Sequence, residues 1–186
     1  LREIERGIID QTDRQLDDTV FGKVTKEIAK GRYVDILATD ANYAMAEYFS
    51  HLLFGAQKIA NVYNDRDKQL WVALNVEIDH AVIIISKHGE DSHLVKVAGI
   101  LKKRGVPFIV VTAAKENSLV SLTPLVLFGV IHDSFESLKE IVFYISLKYI
   151  FDLIYAVLIS GDMERAGQLS DLHCRLFDSR DGDVTL

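Results

Sequence analysis

The segment Ser86-Lys87-His88-Gly89-Glu90-Asp91-Ser92 is the part of the chain richest in groups that do chemistry. It places two hydroxyls, an ammonium, an imidazole and two carboxylates around one glycine. An apolar run precedes it and a helical pattern follows. Small hydroxyl residues and a glycine at such a junction make an anion cradle. Gly89 lets the backbone turn close to a ligand. Ser86 and Ser92 can donate, and the open N–H groups of a first helical turn add partial positive charge. The same residues also have a plainer use, in which Asp91 or Ser92 caps the helix and Gly89 only turns the chain. Two other segments carry related groups. Ala38-Thr39-Asp40-Ala41-Asn42 offers Thr39 and Asn42, and the stretch from Thr112 to Leu119 offers Thr112 and Ser118. Hydroxyl and amide groups converging from three segments suit a polyhydroxy ligand, with or without a phosphate.

The surrounding pattern says how such segments could converge. Ile4, Ile8, Ile9, Leu16, Val20 and Val24 recur at helical spacing, which predicts one or two amphipathic helices over 1–30, with Gly31 as a stop. Strand-type runs fall at 33–39, 59–63, 81–85, 108–112 and 125–128. Helical stretches fall at 41–54, 66–76, 91–104, 136–159 and 162–177, with a short turn near 118–122. Ala81–Ile85 is apolar on both faces, as a central parallel strand is when helices cover both sides. The alternation predicts an α/β fold, a three-layer α-β-α sandwich of flavodoxin type with about five parallel strands. Right-handed crossovers put every strand-to-helix loop at one end of the sheet. Ligands of such folds sit outside the carboxyl ends of the strands. The loops to read are therefore 38–43, 63–66, 86–92, 112–119 and 131–136. The expected organisation is linker helices over 1–30, a ligand-binding domain over 31–177 and an acidic tail over 178–186.

Composition narrows the classes further. The chain has 186 residues, 49% hydrophobic and 26% charged, which excludes a disordered chain. Cys174 is the only cysteine, so no internal disulfide forms and a reducing, cytoplasmic setting fits. The net charge of −6 argues against a large basic nucleic-acid surface. Ile141–Ile159 has the length of a membrane span, but Lys148 and Asp152 lie near its middle and stand one helical turn apart. It reads as a core or interface helix, with no membrane partner. The six histidines show no metal-binding spacing, and neither a dinucleotide fingerprint nor a Walker loop is present, so no metal and no cofactor are expected. The chain begins without Met and has no signal-peptide core, so an upstream segment is expected to be missing.

In order of elements, about residues 1–160 resemble the sugar isomerase (SIS) domain of RpiR-type bacterial transcriptional regulators. That family's central loop is usually Ser-x-Ser-Gly-x-Thr; Ser86 and Gly89 match it, and Glu90 is a frequent choice there. Thr112 and Ser118-Leu119 match the next loop with one extra residue. Phe151-Asp152-Leu153 matches a segment of the long helix, and Val95, Ala98, Lys103 and Gly105 fit the family's helix-to-strand stretch. Where the family has Ser and Thr, this chain has His88 and Asp91. Ala38 and Asp40 replace both glycines of the first loop, and Asn42 replaces its Ser. A carboxylate beside a phosphate dianion is repulsive unless a cation intervenes. The ligand is then less charged, is held through Ser92 in a shifted register, or is absent; protonation of His88 would offset Asp91 and strengthen binding at lower pH.

The resemblance implies an effector-sensing domain for a sugar or sugar phosphate. Its ligand-binding candidates are Thr39, Asn42, Ser86, His88, Gly89, Asp91, Ser92, Thr112 and Ser118. It also implies a homodimer, with the long helix and the first helix as contact candidates, and DNA binding only through a helix-turn-helix domain absent from this chain. Isomerases of the same fold need a carboxylate base just before the long helix, where Asp133 and Glu136 stand. Both are more simply read as the capping and charge of that helix start. A domain kept only for dimerisation is the third reading.

Overall fold

A computed structural model of the chain describes residues 2–131 and 138–161, and beyond them only positions 164, 167, 168, 171 and 172. The expected helix over 162–177, the acidic tail and Cys174 otherwise lie outside the described residues. The elements run α1 (Arg2–Gln15), α2 (Asp18–Lys30), β1 (Tyr33–Ala38), α3 (Ala41–Gly55), β2 (Ile59–Tyr63), α4 (Arg66–Asn75), β3 (His80–Ile85), α5 (Ser92–Arg104), β4 (Phe108–Thr112), β5 (Val126–Phe128) and α6 (Lys139–Ser160), with a 3₁₀ turn at Val120–Leu122. The five strands are parallel and lie side by side as β2-β1-β3-β4-β5. This is the three-layer architecture that the alternating pattern predicts.

Burial explains the layers. Val34, Ile36, Ala38, Ile83 and Ile85 face a core closed by Val24 and Ile28 of α2, Phe49 and Leu53 of α3, and Phe143 and Phe151 of α6. The rings of Phe49 and Phe151 stack at 4.3 Å between centroids. The alternate residues Leu37, Val82, Ile84 and Val110 meet Ala73 of α4 and Leu94, Val97 and Leu101 of α5. Strands buried on both sides need this unbroken apolar run. The Ile141–Ile159 stretch falls in α6, which is long and apolar enough to cross a membrane by length and composition. Seven of its residues, from Val142 to Ile154, are buried within the fold. Lys148 donates to Asp152 one turn away, as the spacing predicts, and Tyr48 of α3 donates to the same carboxylate.

The N-terminal region is two helices, broken where Asp17 accepts the Val20 N–H and starts α2. Ile8 of α1 packs on Val142 of α6 and on Val130. Buried hydroxyls lock that contact: Thr12 and Ser146 share a hydrogen bond of 2.8 Å, and Ser146 Oγ also accepts the Val130 N–H at 3.0 Å. Removing Ser146 Oγ leaves the Val130 N–H without its acceptor. Ser146→Ala is therefore expected to lower unfolding free energy by about 1–3 kcal/mol in urea titration, with Ser160→Ala, on an exposed position, near neutral.

Candidate functional site

The strand order reverses direction between β1 and β3. After β1 the chain crosses to the α3 face, and after β3 it crosses to the α5 face. The two exit loops therefore diverge and leave a crevice at the carboxyl end of the sheet, where α/β folds hold ligands. The sheet ladder runs past the strand ends to brace it. Ser86 N–H donates to Val111 O, and the Lys87 carbonyl accepts from Ala113 N–H (3.0 Å) and from the Thr112 hydroxyl (3.2 Å).

The loop after β3 is built around Gly89. Its φ is +70°, and a Cβ there would lie 2.1 Å from the Asn117 side chain. Only glycine permits this approach. Asn117 in turn donates to Ala114 O and Thr112 Oγ1 and accepts the Val120 N–H. Glu90 reaches across to Ser118 and takes both its N–H (2.8 Å) and its hydroxyl (2.7 Å). Those two bonds hold the Glu90 carboxyl below its usual range. The loops after β3 and β4 are thus tied into one rim.

The expected residues divide by what they already do. Asp91 is the N-cap of α5: its Oδ1 accepts from His93 and Leu94 N–H, and its Oδ2 lies 3.3 Å from Arg66. The cation that meets Asp91 is Arg66, a partner that the sequence pattern does not reveal. Thr112 and Ser118 brace the loops through the bonds above. Ser86 is buried, and its oxygen accepts the Gly89 N–H. His88 is exposed beside the crevice, and Ser92 is the exposed first residue of α5. Thr39 accepts the Asn42 N–H on its carbonyl. Asn42 opens α3 with a buried side-chain oxygen that has no hydrogen-bond partner. Asp133 and Glu136 lie outside the described residues. No cluster of metal-ligating side chains occurs among the described residues.

Two features of the crevice were not legible. Lys87 is nine-tenths buried, and its ammonium meets Glu140 in the first turn of α6. Tyr144 donates to the other oxygen of the same carboxylate at 2.8 Å. The Lys87 bond, and then the Tyr144 bond, hold the Glu140 carboxyl below its usual range; the nearby His88 adds to this. Burial, with the Glu140 and Asp40 charges, pushes Tyr144 up to about 12. The second feature is Asp40, at φ 51° and ψ −135° with no side-chain capping bond. The first loop has lost its glycine but keeps a glycine conformation.

With this geometry in view, the chain is an α/β domain whose strand-end loops gather at the switch point of a parallel sheet. The family model of the SIS domain matches residues 27–152, and the chain belongs to that family. No curated protein sequence matches the chain. Among solved structures, the NanR protein of Vibrio vulnificus, complexed with ManNAc-6P, superposes with a TM-score of 0.84 at 14% identity, over 94% of this chain and 67% of that one. The sugar isomerase domain of an RpiR transcription factor from Sphaerobacter thermophilus gives 0.80 at 17%, over 92% and 94%. A Methanococcus jannaschii protein, whose structure was taken to infer 3-hexulose-6-phosphate isomerase, gives 0.65 at 14%, over 90% and 97%. The fold is thus shared by regulators and by a protein assigned to isomerisation.

Two outcomes follow from the crevice. A group whose folded pKa is depressed contributes stability above its unfolded pKa and loses it as pH falls through the folded value. Carbon-detected NMR titration is expected to place the Glu140 carboxyl midpoint lower in the wild type than in Lys87→Met. At Asp40, glycine relieves the positive φ but frees the unfolded chain. Asp40→Gly is expected to stabilise by up to about 1 kcal/mol, and Asp40→Ala to destabilise by a similar amount, in urea titration.

Proposed function

We propose that this chain is the effector-sensing and dimerisation domain of a cytoplasmic RpiR-like transcriptional regulator. It takes a sugar phosphate or a related sugar ligand at the strand-end crevice and reaches DNA only through a domain outside this chain. It works without catalysis and without a cofactor. The observation that carries the reading is the Lys87 side chain, nine-tenths buried beside the Gly89 turn, with its ammonium on a Glu140 carboxylate at the solvent edge. A cation held at a strand-end switch point answers the charge of an anionic ligand, which the acidic residues at 40 and 91 would otherwise repel. Asn42, with its unpartnered buried oxygen, is placed to accept from a sugar hydroxyl.

The ion pair also supplies a route for the signal. An anion that takes Lys87 must displace Glu140, which belongs to the first turn of α6. α6 carries α1 through Thr12–Ser146 and through the Tyr149 hydroxyl, which donates to Asp13 at 2.7 Å. In this reading α1 is the linker towards the DNA-binding domain. A ligand that binds better when Glu140 is released shifts the α6–α1 unit between two arrangements.

The test is a thermal-shift and calorimetric screen of N-acetylmannosamine 6-phosphate, other hexosamine and hexose 6-phosphates and the unphosphorylated sugars, with light scattering alongside. The expected result is a dimer that at least one phosphorylated sugar stabilises, an effect lost in Lys87→Met, with the sugar recovered unchanged. Turnover abolished by Asp133→Ala or Glu136→Ala would make the chain an isomerase. A dimer indifferent to every sugar would leave only the scaffold, and a monomer would remove the regulator reading.

A further inference from the structure

A second polar cluster lies away from the strand-end loops. Asp35 stands in the middle of β1 and is only 2% exposed. Register puts its neighbours on the same side of the sheet: Asn61 of β2 is opposite Asp35, His80 of β3 is opposite Tyr33, and Tyr63 of β2 is opposite Leu37. Asn61 Nδ2 donates to Asp35 Oδ1 at 3.2 Å, and His80 Nδ1 lies 2.5 Å from Asp35 Oδ2. Burial, with the Asp35 charge beside it, pushes the Tyr63 hydroxyl up to about 12. The imidazole stacks on Tyr33 at 4.8 Å between centroids. A buried carboxylate in a sheet is seldom the most stable choice, because apolar residues of similar size fill the place at least as well.

The cluster is not sealed. It floors a groove of about 370 Å³ whose opposite wall is α4, with Trp71, Val72 and Asn75 along it and Lys68 beside them. Trp71 is 65% exposed and is the only tryptophan of the chain. The polar groups divide by chemistry. The floor can accept: the Tyr63 hydroxyl oxygen has its lone pairs, and an imidazole that donates to Asp35 through Nδ1 keeps Nε2 as an acceptor. His80 Nε2 is 3.8 Å from Asp79 Oδ1, beyond hydrogen-bond reach. The wall offers a flat aromatic face, and Lys68 offers a positive charge. Mostly apolar lining with a few fixed polar groups is the usual make-up of a small-molecule site.

We propose that this groove is a second ligand site, for a planar heteroaromatic ring that carries an amino group and an anionic substituent, as an adenine nucleotide does. The ring lies on Trp71, the amino edge donates to the Tyr63 and His80 acceptors, and the anionic group meets Lys68. Each component of the groove then has one partner. The site shares no residue with the segments 39–42, 86–92 and 112–119, so it stands or falls independently of the sugar reading.

Trp71 is its own reporter. The intact chain is titrated with AMP, with adenosine and with inorganic phosphate, and tryptophan fluorescence is followed with excitation at the red edge of the indole band. AMP is expected to quench saturably, adenosine to bind about tenfold more weakly, and phosphate alone to do nothing. Lys68→Ala and Tyr63→Phe are each expected to weaken AMP about tenfold, and Lys102→Ala, on α5 away from the groove, to leave it unchanged. Calorimetry on Trp71→Ala is expected to show the AMP heat lost, with the circular dichroism of the fold retained. The proposal is overturned by quenching that does not saturate, by quenching that survives both Lys68→Ala and Tyr63→Phe, or by displacement of AMP by N-acetylmannosamine 6-phosphate, which would put the nucleotide in the strand-end crevice.

Discussion

A lysine buried at the end of a central strand has to find a counter-charge, and the crevice is arranged around that need. An unpaired ammonium in a low-dielectric setting costs several kcal/mol. Lys87 cannot withdraw, because its carbonyl is held by Ala113 N–H and by the Thr112 hydroxyl. Its counter-charge comes from Glu140, 53 residues along the chain. That requirement sets where α6 must begin relative to β3, and α6 in turn carries α1. One electrostatic constraint thus links the sheet, the candidate site and the N-terminal helix that would lead to any upstream domain.

The acidic substitutions of the loops read differently in this light. Asp91 stands where the resemblance expects a threonine, and it spends its carboxylate on the α5 N-terminus and on Arg66. The positive end of that helix is then partly answered from within the chain. Asp40 stands where a glycine is expected and keeps the positive φ that glycine favours. At Asp40 the backbone follows a path that glycine would make easier. Lys87 puts a cation at the strand ends, and Asp91 offsets partial positive charge at the start of α5. On the function proposed above, an anion is met by Lys87 more than by the helix end.

The layers were legible because they rest on local chemistry. Ala81–Ile85 and Phe108–Thr112 read as central strands, and they are buried along their whole length. Asp91 before an apolar helical pattern reads as a cap, and it is one. Partnerships set by tertiary packing were not legible. Nothing near Lys87 in the sequence names Glu140 or Tyr144, and nothing near Asp91 names Arg66. Periodicity places Asp35 in a strand, but it cannot say that Asn61, His80 and Tyr63 will arrive on the same face, since strand register is a property of the folded sheet. The break between α1 and α2 was open for another reason: the apolar spacing runs through Leu16, and only the Asp17 side chain, by accepting the Val20 N–H, ends one helix and begins the next.

The same distinction separates the two polar sites of this domain. The strand-end crevice exists wherever a parallel sheet reverses its strand order, so its position follows from topology and only its chemistry is particular to the chain. The groove beneath Trp71 has no such topological cause. It exists because α4 is only ten residues long and because three strands each spend a face position on a polar side chain. Satisfying Asp35 from two side chains fixes the floor without closing the groove, since both partners lie in the sheet and neither comes from α4. A floor fixed from within, beneath an aromatic wall left open to solvent, is preorganised, and preorganisation of that kind lowers the cost of taking up a ligand.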